Sequence, residues 1–111
     1  MWYSRQRYCE AYFFYARSEY LRGDIEKTAL LYEKASAVQP EDFKAPILAA
    51  SMHERLDDAD AERIALLRGL QTVERHLELN PDDQRALSLG ANVQLRIGNR
   101  DRALEWARRA M

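Results

Sequence analysis

The sequence predicts an all-α fold, a solenoid of three helix–turn–helix units, and three observations carry that prediction. Gly23-Asp24 is followed by Ala35 twelve positions on, and Gly98-Asn99 by Ala110 at the same distance. Pro40 and Pro81 each stand just ahead of a helix start. The separation of the two glycines is 75 and that of the two prolines is 41. A period of 34 with a single seven-residue insertion accounts for both separations. Only four Gly and three Pro punctuate 111 residues, which leaves room for long helices. The units run from about 9 to 42, 43 to 83 and 84 to 111, as six antiparallel helices in one domain.

The first helix is expected from about Ser4 to Arg22, with Tyr8, Tyr12, Tyr15, Ala16 and Tyr20 on roughly one face. Gly23 is placed to end it in a left-handed cap, and Asp24 to cap the next helix through its side-chain oxygen. That second helix carries Ile25, Thr28, Leu31, Tyr32 and Ala35 to about Val38, where Pro40 stops it. Asp42 caps a third helix, Phe43 to about Leu56, whose first turn tolerates Pro46 because an N–H there has no intrahelical partner. Asp57-Asp58 stands at the next turn. A fourth helix, about Ala59 to Leu79, presents Ile64, Leu67, Leu70, Val73 and Leu77. Seven extra residues are close to two turns, so placing them in this helix keeps its stripe on one face. An ordinary helix behind a loop at 57–63 is the competing account. The fifth helix spans about Asp83 to Ile97 and the sixth runs from Arg100 to the end. Leu87, Ala91, Leu95, Ala103, Ala107 and Ala110 are their expected meeting face.

Composition narrows the function classes. Apolar residues make up 47% and charged residues 32%, ordinary for a folded helical protein. No apolar run reaches the roughly 20 residues of a membrane span, and the N-terminus lacks the apolar stretch of a signal peptide. One cysteine, Cys9, makes an internal disulfide impossible and fits a reducing, cytoplasmic setting. A net charge of −1 gives no pull toward nucleic acid or an anionic membrane. The charge is unevenly spread, with residues 41–62 at −5 and residues 85–111 at +4. Two solvated helix faces explain that spread.

The residues resemble tetratricopeptide (TPR) repeats. The third unit has the small residue Ala91, the turn glycine Gly98, and the second-helix alanines Ala103 and Ala110. The first has Tyr12, Tyr15-Ala16, Gly23, Tyr32, Ala35 and Pro40. The middle unit departs, with Pro46 in place of a bulky aromatic and Asp57 in place of the glycine. The run AERIALLRGLQTVERHLELNPDD is similar to TPR tails of multidomain bacterial signalling proteins such as adenylate cyclases and serine/threonine kinases. The resemblance implies a right-handed sense for the solenoid and protein–protein recognition in a concave groove lined by the first helix of each unit. Carried over position by position, it gives Glu10, Phe13, Arg17, Tyr20 and Leu21, then Lys44, Ile47, Ser51, Glu54 and Arg55, then Arg85, Ser88, Asn92, Leu95 and Arg96. Five of these are basic and two acidic. The implied partner is a protein or peptide with acidic and apolar side chains. The carboxylate clamp of chaperone-binding TPR domains would fall on Phe13, Arg17, Leu48, Arg85 and Leu89. Only Arg85 keeps a suitable charge, so clamp-type recognition is not expected.

No catalytic constellation is apparent. Cys9, His53 and His76 lie in three different helices; Cys9 reads as a half-buried small residue, His76 as a satisfied interior or boundary histidine, and His53 as partly exposed. The acids at 57–62 lack the glycine and the distal glutamate of a calcium loop and are explained by capping. The rings of the first helix, Trp2, Tyr3, Tyr8, Tyr12, Phe13, Phe14, Tyr15 and Tyr20, could stack bases, but a core-forming stripe explains most of them. No enzyme, metal or cofactor is expected. Two readings stand: a binding module, and a spacer or self-association segment of a larger bacterial regulatory protein. The chain stops at Met111 within the second helix of the third unit. The expectation is that the apolar side of the last pair, including Leu104 and Ala107, lies open and pairs with another copy or with further chain.

Overall fold

Two kinds of turn, each used more than once, divide the chain into six helices. The computed structural model describes residues 2–111, with side chains from Arg5 onward. The helices are α1 (Trp2–Leu21), α2 (Ile25–Val38), α3 (Lys44–Arg55), α4 (Ala59–Leu79), α5 (Gln84–Arg96) and α6 (Arg100–Ala110), with no strand among the described residues. The side chains of Trp2 and Tyr3, two of the expected aromatic rings, lie outside the described residues.

The first kind of turn closes α1, α3 and α5. In each, one N–H reaches back five positions: Asp24 to the Glu19 carbonyl at 3.0 Å, Asp58 to His53 at 3.0 Å and Asn99 to Gln94 at 2.8 Å. The preceding N–H reaches back three, from Gly23 to Tyr20, Asp57 to Glu54 and Gly98 to Leu95. This is the Schellman arrangement, which needs a left-handed residue after the helix. Gly23 and Gly98 supply it at φ 85° and 97°, and Asp57 adopts it at φ 57° despite its Cβ. Asp24 and Asp58 then cap the next helix by accepting from Lys27 and Ala61 N–H. Asn99 instead donates its amide to Gln94.

The second kind joins α2 to α3 and α4 to α5. Gln39 and Asn80 donate to the Ala35 and His76 carbonyls, and Asp42 and Asp83 donate back to Gln39 and Asn80. Asp42 Oδ1 then accepts from Lys44 N–H at 2.8 Å. Asp83 Oδ1 accepts from Arg85 and Ala86 N–H. The left-handed turn positions 23, 57 and 98 are spaced by 34 and 41, and Pro40 to Pro81 also spans 41. The insertion therefore falls between 57 and 81, inside α4. That helix has 21 residues against 14 in α2, so the extra residues are helical and no loop occupies 57–63.

Each helix packs chiefly on its neighbours in the chain, α1 on α2 through to α5 on α6. The molecule measures 36 × 36 × 21 Å, a plate about two helix diameters thick. Much of its core is alanine, with Ala16, Ala35, Ala45, Ala49, Ala50, Ala65 and Ala86 fully buried. Two helical glycines set close approaches. A Cβ on Gly69 would stand 2.9 Å from Ile47 Cγ1, and one on Gly90 would stand 2.5 Å from the Trp106 ring and 2.9 Å from Val73. Trp106, absent from the expected meeting face, is therefore the side chain that seats α6 on α5.

Three expected stripes are corrected. In α4 the buried line is Ala65, Leu66, Gly69, Thr72, Val73 and Leu77, while Ile64 and Leu67 are exposed. The inner line is centred on Gly69, where α3 comes close enough that Ile47 leaves no room for a Cβ. In α1, Cys9, Ala16 and Glu19 face α2, with Tyr12 and Phe13 half-buried. Tyr8, Phe14, Tyr15 and Tyr20 are exposed, since α1 packs extensively on α2 alone and has one stripe to bury there. Between α5 and α6, Leu95 and Ala107 lie outside the seam that Trp106 fills.

Candidate functional site

α3 and α5 stand in equivalent settings, each entered by the second kind of turn and closed by the first, and they line a common groove. Lys44 is the first residue of α3, and Arg85, its counterpart, lies in the first turn of α5. Together with Ile47, Leu48, Gln84, Ser88, Leu89 and Ala110 they line a groove of about 530 Å³. Three pairs of residues, each 41 positions apart, build it: Lys44 with Arg85, Ile47 with Ser88, and Leu48 with Leu89. The floor is aliphatic and the rim carries two cations.

Neither cation has a carboxylate partner among the described residues. Lys44 places its ammonium 5.5 Å from the Phe13 ring centroid, and Arg85 is exposed. Phe13 in turn stacks obliquely on Tyr32 with centroids 5.8 Å apart. Burial pushes the Tyr32 phenol up, against the pull of nearby Arg17. Lys44, Ile47, Arg85, Ser88 and Phe13 are thus gathered at one end of α3 and α5, and Arg17 lies beside the ring that backs them.

The other end holds the next pair of cations, Arg55 and Arg96, which are repeat counterparts in the same way. Arg55 donates to the Tyr20 hydroxyl at 3.1 Å and lies over that ring at 5.4 Å. Arg96 pairs with Glu62 at 3.1 Å and donates to Ser51 Oγ at 3.4 Å, with its side chain 19% exposed. These two cations are committed within the fold. Asn92 sits apart, in a shallow cleft of about 360 Å³ with Ala91, Leu95, Arg100, Ala103, Leu104 and Ala107.

Beneath the closed end is a junction of three helices that sequence reasoning missed. Glu33 of α2 accepts from Arg68 of α4 at 2.6 Å and bonds His53 of α3 at 2.8 Å. Burial raises the Glu33 carboxyl, but the bonds from Arg68 and His53 outweigh it and hold the group below the usual range. Glu62, Glu33 and Arg68 carry no local motif. Their pairings link different helices and depend on how each helix is rotated about its axis. Leu48, Leu89, Gln84 and Ala110 were missed as groove lining as well, although the matching repeat positions of the two leucines were a readable signal.

His76 bonds Asp83 at 2.7 Å and lies against Phe43, with centroids 5.1 Å apart. The His76 bond, helped by the Ala86 N–H, lowers the Asp83 carboxyl. Cys9 is 3% exposed, with its S–H directed at the Ala35 carbonyl and the Asp42 carboxylate. Burial, then the Asp42 charge, pushes its thiol up to about 11, so the reactive thiolate is disfavoured at neutral pH. Asp58 spends its carboxylate on the Ala61 N–H. No helix of the described residues is long and apolar enough to cross a membrane.

The molecule belongs to the all-α class, a plate of packed helices with an open-rimmed basic groove between α3 and α5. No protein-family model matches the chain, and no curated protein matches its sequence.

Proposed function

We propose that this chain is a TPR-type interaction module, a right-handed helical solenoid acting in the cytoplasm, whose groove between α3 and α5 holds a protein segment bearing acidic and apolar side chains. The three Schellman turns and the two matched connectors support the repeat reading. The observation that carries the function is the pair Lys44 and Arg85, repeat-equivalent, without carboxylate partners, over a floor of Ile47, Leu48 and Leu89. A carboxylate of the partner meets the two cations while an aliphatic side chain enters the groove.

Of the other residues expected in the groove, Arg17 lies near Tyr32 beside this site, Tyr20, Ser51, Arg55 and Arg96 are engaged at the other end of α3 and α5, and Asn92 lies in a separate cleft. The test is binding of a peptide array rich in Asp/Glu beside Leu/Ile, read by fluorescence anisotropy. Lys44→Glu with Arg85→Glu is expected to abolish binding while the circular dichroism spectrum and melting curve stay as in the parent. Unchanged binding in that variant overturns the site. A second reading, a self-association or spacer segment of a larger bacterial regulatory protein, is favoured by the exposed Leu95 and Leu104 beside Ala107. Loss of self-association in Leu104→Ser would support it.

A further inference from the structure

We propose that the occupant of this groove is the acidic turn of a second copy, Leu56-Asp57-Asp58-Ala59-Asp60, so that copies associate head to tail. The inference rests on the groove reading above and names its partner. Charge and shape both point to it. The turn projects between α3 and α4 with Asp57, Asp58 and Asp60 exposed and Leu56 40% exposed. The carboxylates of Asp57 and Asp60 bond nothing among the described residues, while that of Asp58 caps α4. Arg55 beside them is turned to Tyr20, and Arg63, one turn into α4, offsets part of the negative charge. The groove presents the complement, two cations without carboxylate partners over an aliphatic floor.

Position matters as much as charge. Lys44 opens α3 and Leu56 follows its last residue, so groove and turn sit at opposite ends of one helix, about 18 Å apart at 1.5 Å per residue. Two different surfaces at opposite ends cannot satisfy each other within one molecule. Between molecules they make a heterologous contact, which yields rings or open chains rather than a two-fold dimer. A protruding turn also fits a concave groove, where two flat helix faces would not. The carboxylates meet Lys44 and Arg85, and Leu56 meets Ile47, Leu48 and Leu89.

Sedimentation velocity on the whole chain tests this, over a concentration series at low and at high salt. Parent protein is expected to associate with rising concentration and to dissociate with added salt. Asp57→Asn with Asp60→Asn removes the turn's free charges and keeps a residue that tolerates the left-handed region; association weakens roughly tenfold or more. Lys44→Glu with Arg85→Glu removes the groove. Mixing the two variants restores association, and it stops at one-to-one, because the first retains a groove and the second a turn. A parent that stays monomeric at every concentration overturns this proposal, and peptide binding in the groove then decides the site separately. Association that persists in both variants also overturns it and places the contact elsewhere, with Leu104→Ser checking the α5–α6 face. A mixture no larger than either variant alone, beside an associating parent, overturns it too.

Discussion

The two ends of α3 and α5 carry the same chemistry and use it differently. At one end the repeat counterparts Lys44 and Arg85 face an open groove without a carboxylate partner. At the other, Arg55 and Arg96 share that relation, yet one is absorbed by Tyr20 and the other by Glu62 and Ser51. Residue type and repeat position do not distinguish the pairs. What separates them is whether a neighbouring helix supplies an acceptor, and α4, lengthened by two turns, supplies Glu62 only at the second end. A charge pattern read along a helix face therefore overstates a binding surface wherever the adjoining helix answers it.

The strongest way to break the contrast is to loosen α5 itself. Trp106→Ala removes the ring packed against Gly90 and is expected to cost about 4 kcal/mol, read by urea denaturation. Both ends should degrade together, with lost groove binding and a reduced melting temperature. Next comes Arg96→Glu, which sets two acids against each other in a contact about four-fifths buried. A loss of about 2 kcal/mol is expected, discounted from a fully buried pair for its residual exposure. The matching reversal at the open end, Arg85→Glu, should shift stability by less than about 0.5 kcal/mol. Equal losses from the two reversals would remove the distinction between the ends.

Smaller changes sharpen it. Asp57→Gly relieves a non-glycine residue at φ 57° just beyond the closed end, and a gain of about 0.5 kcal/mol is expected from thermal unfolding. The same change should weaken self-association, separating the turn's stability from its proposed contact. Acid acts most gently. Because the Glu33 carboxyl is held below its ordinary value, its stabilisation is full above the unfolded carboxylate range and is lost as pH falls through the lowered folded value. Glu33→Gln should flatten that part of the acid limb in a pH series of melts. An unchanged limb would show that the junction with His53 and Arg68 contributes nothing there.

Much of the fold was legible because turns are written locally. Gly23, Gly98, Pro40, Pro81 and the capping aspartates each act within a few residues, and their spacing revealed a seven-residue insertion, which the left-handed Asp57 and the 21-residue α4 place in that helix. The rotational setting of α1 and α4 was not legible. Aromatic residues on several sides of α1 give no single stripe, and in α4 the inner line is chosen by Ala65 and Gly69, whose smallness is only meaningful once α3 is beside them. The groove was half legible for the same reason. Lys44, Ile47, Arg85 and Ser88 fall together as the repeat pattern implies, whereas the commitments of Arg96 and Asn92 depend on Glu62 and on the α6 cleft.

Cys9 gives the molecule a clock. It is the sole thiol, held under α1 against Ala35 of α2 and disfavoured as a thiolate until pH nears 11. A maleimide reagent near neutral pH can label it at an appreciable rate only when the first helix lifts away. The labelling rate therefore counts those openings, and its dependence on denaturant separates local release of α1 from unfolding of the whole chain.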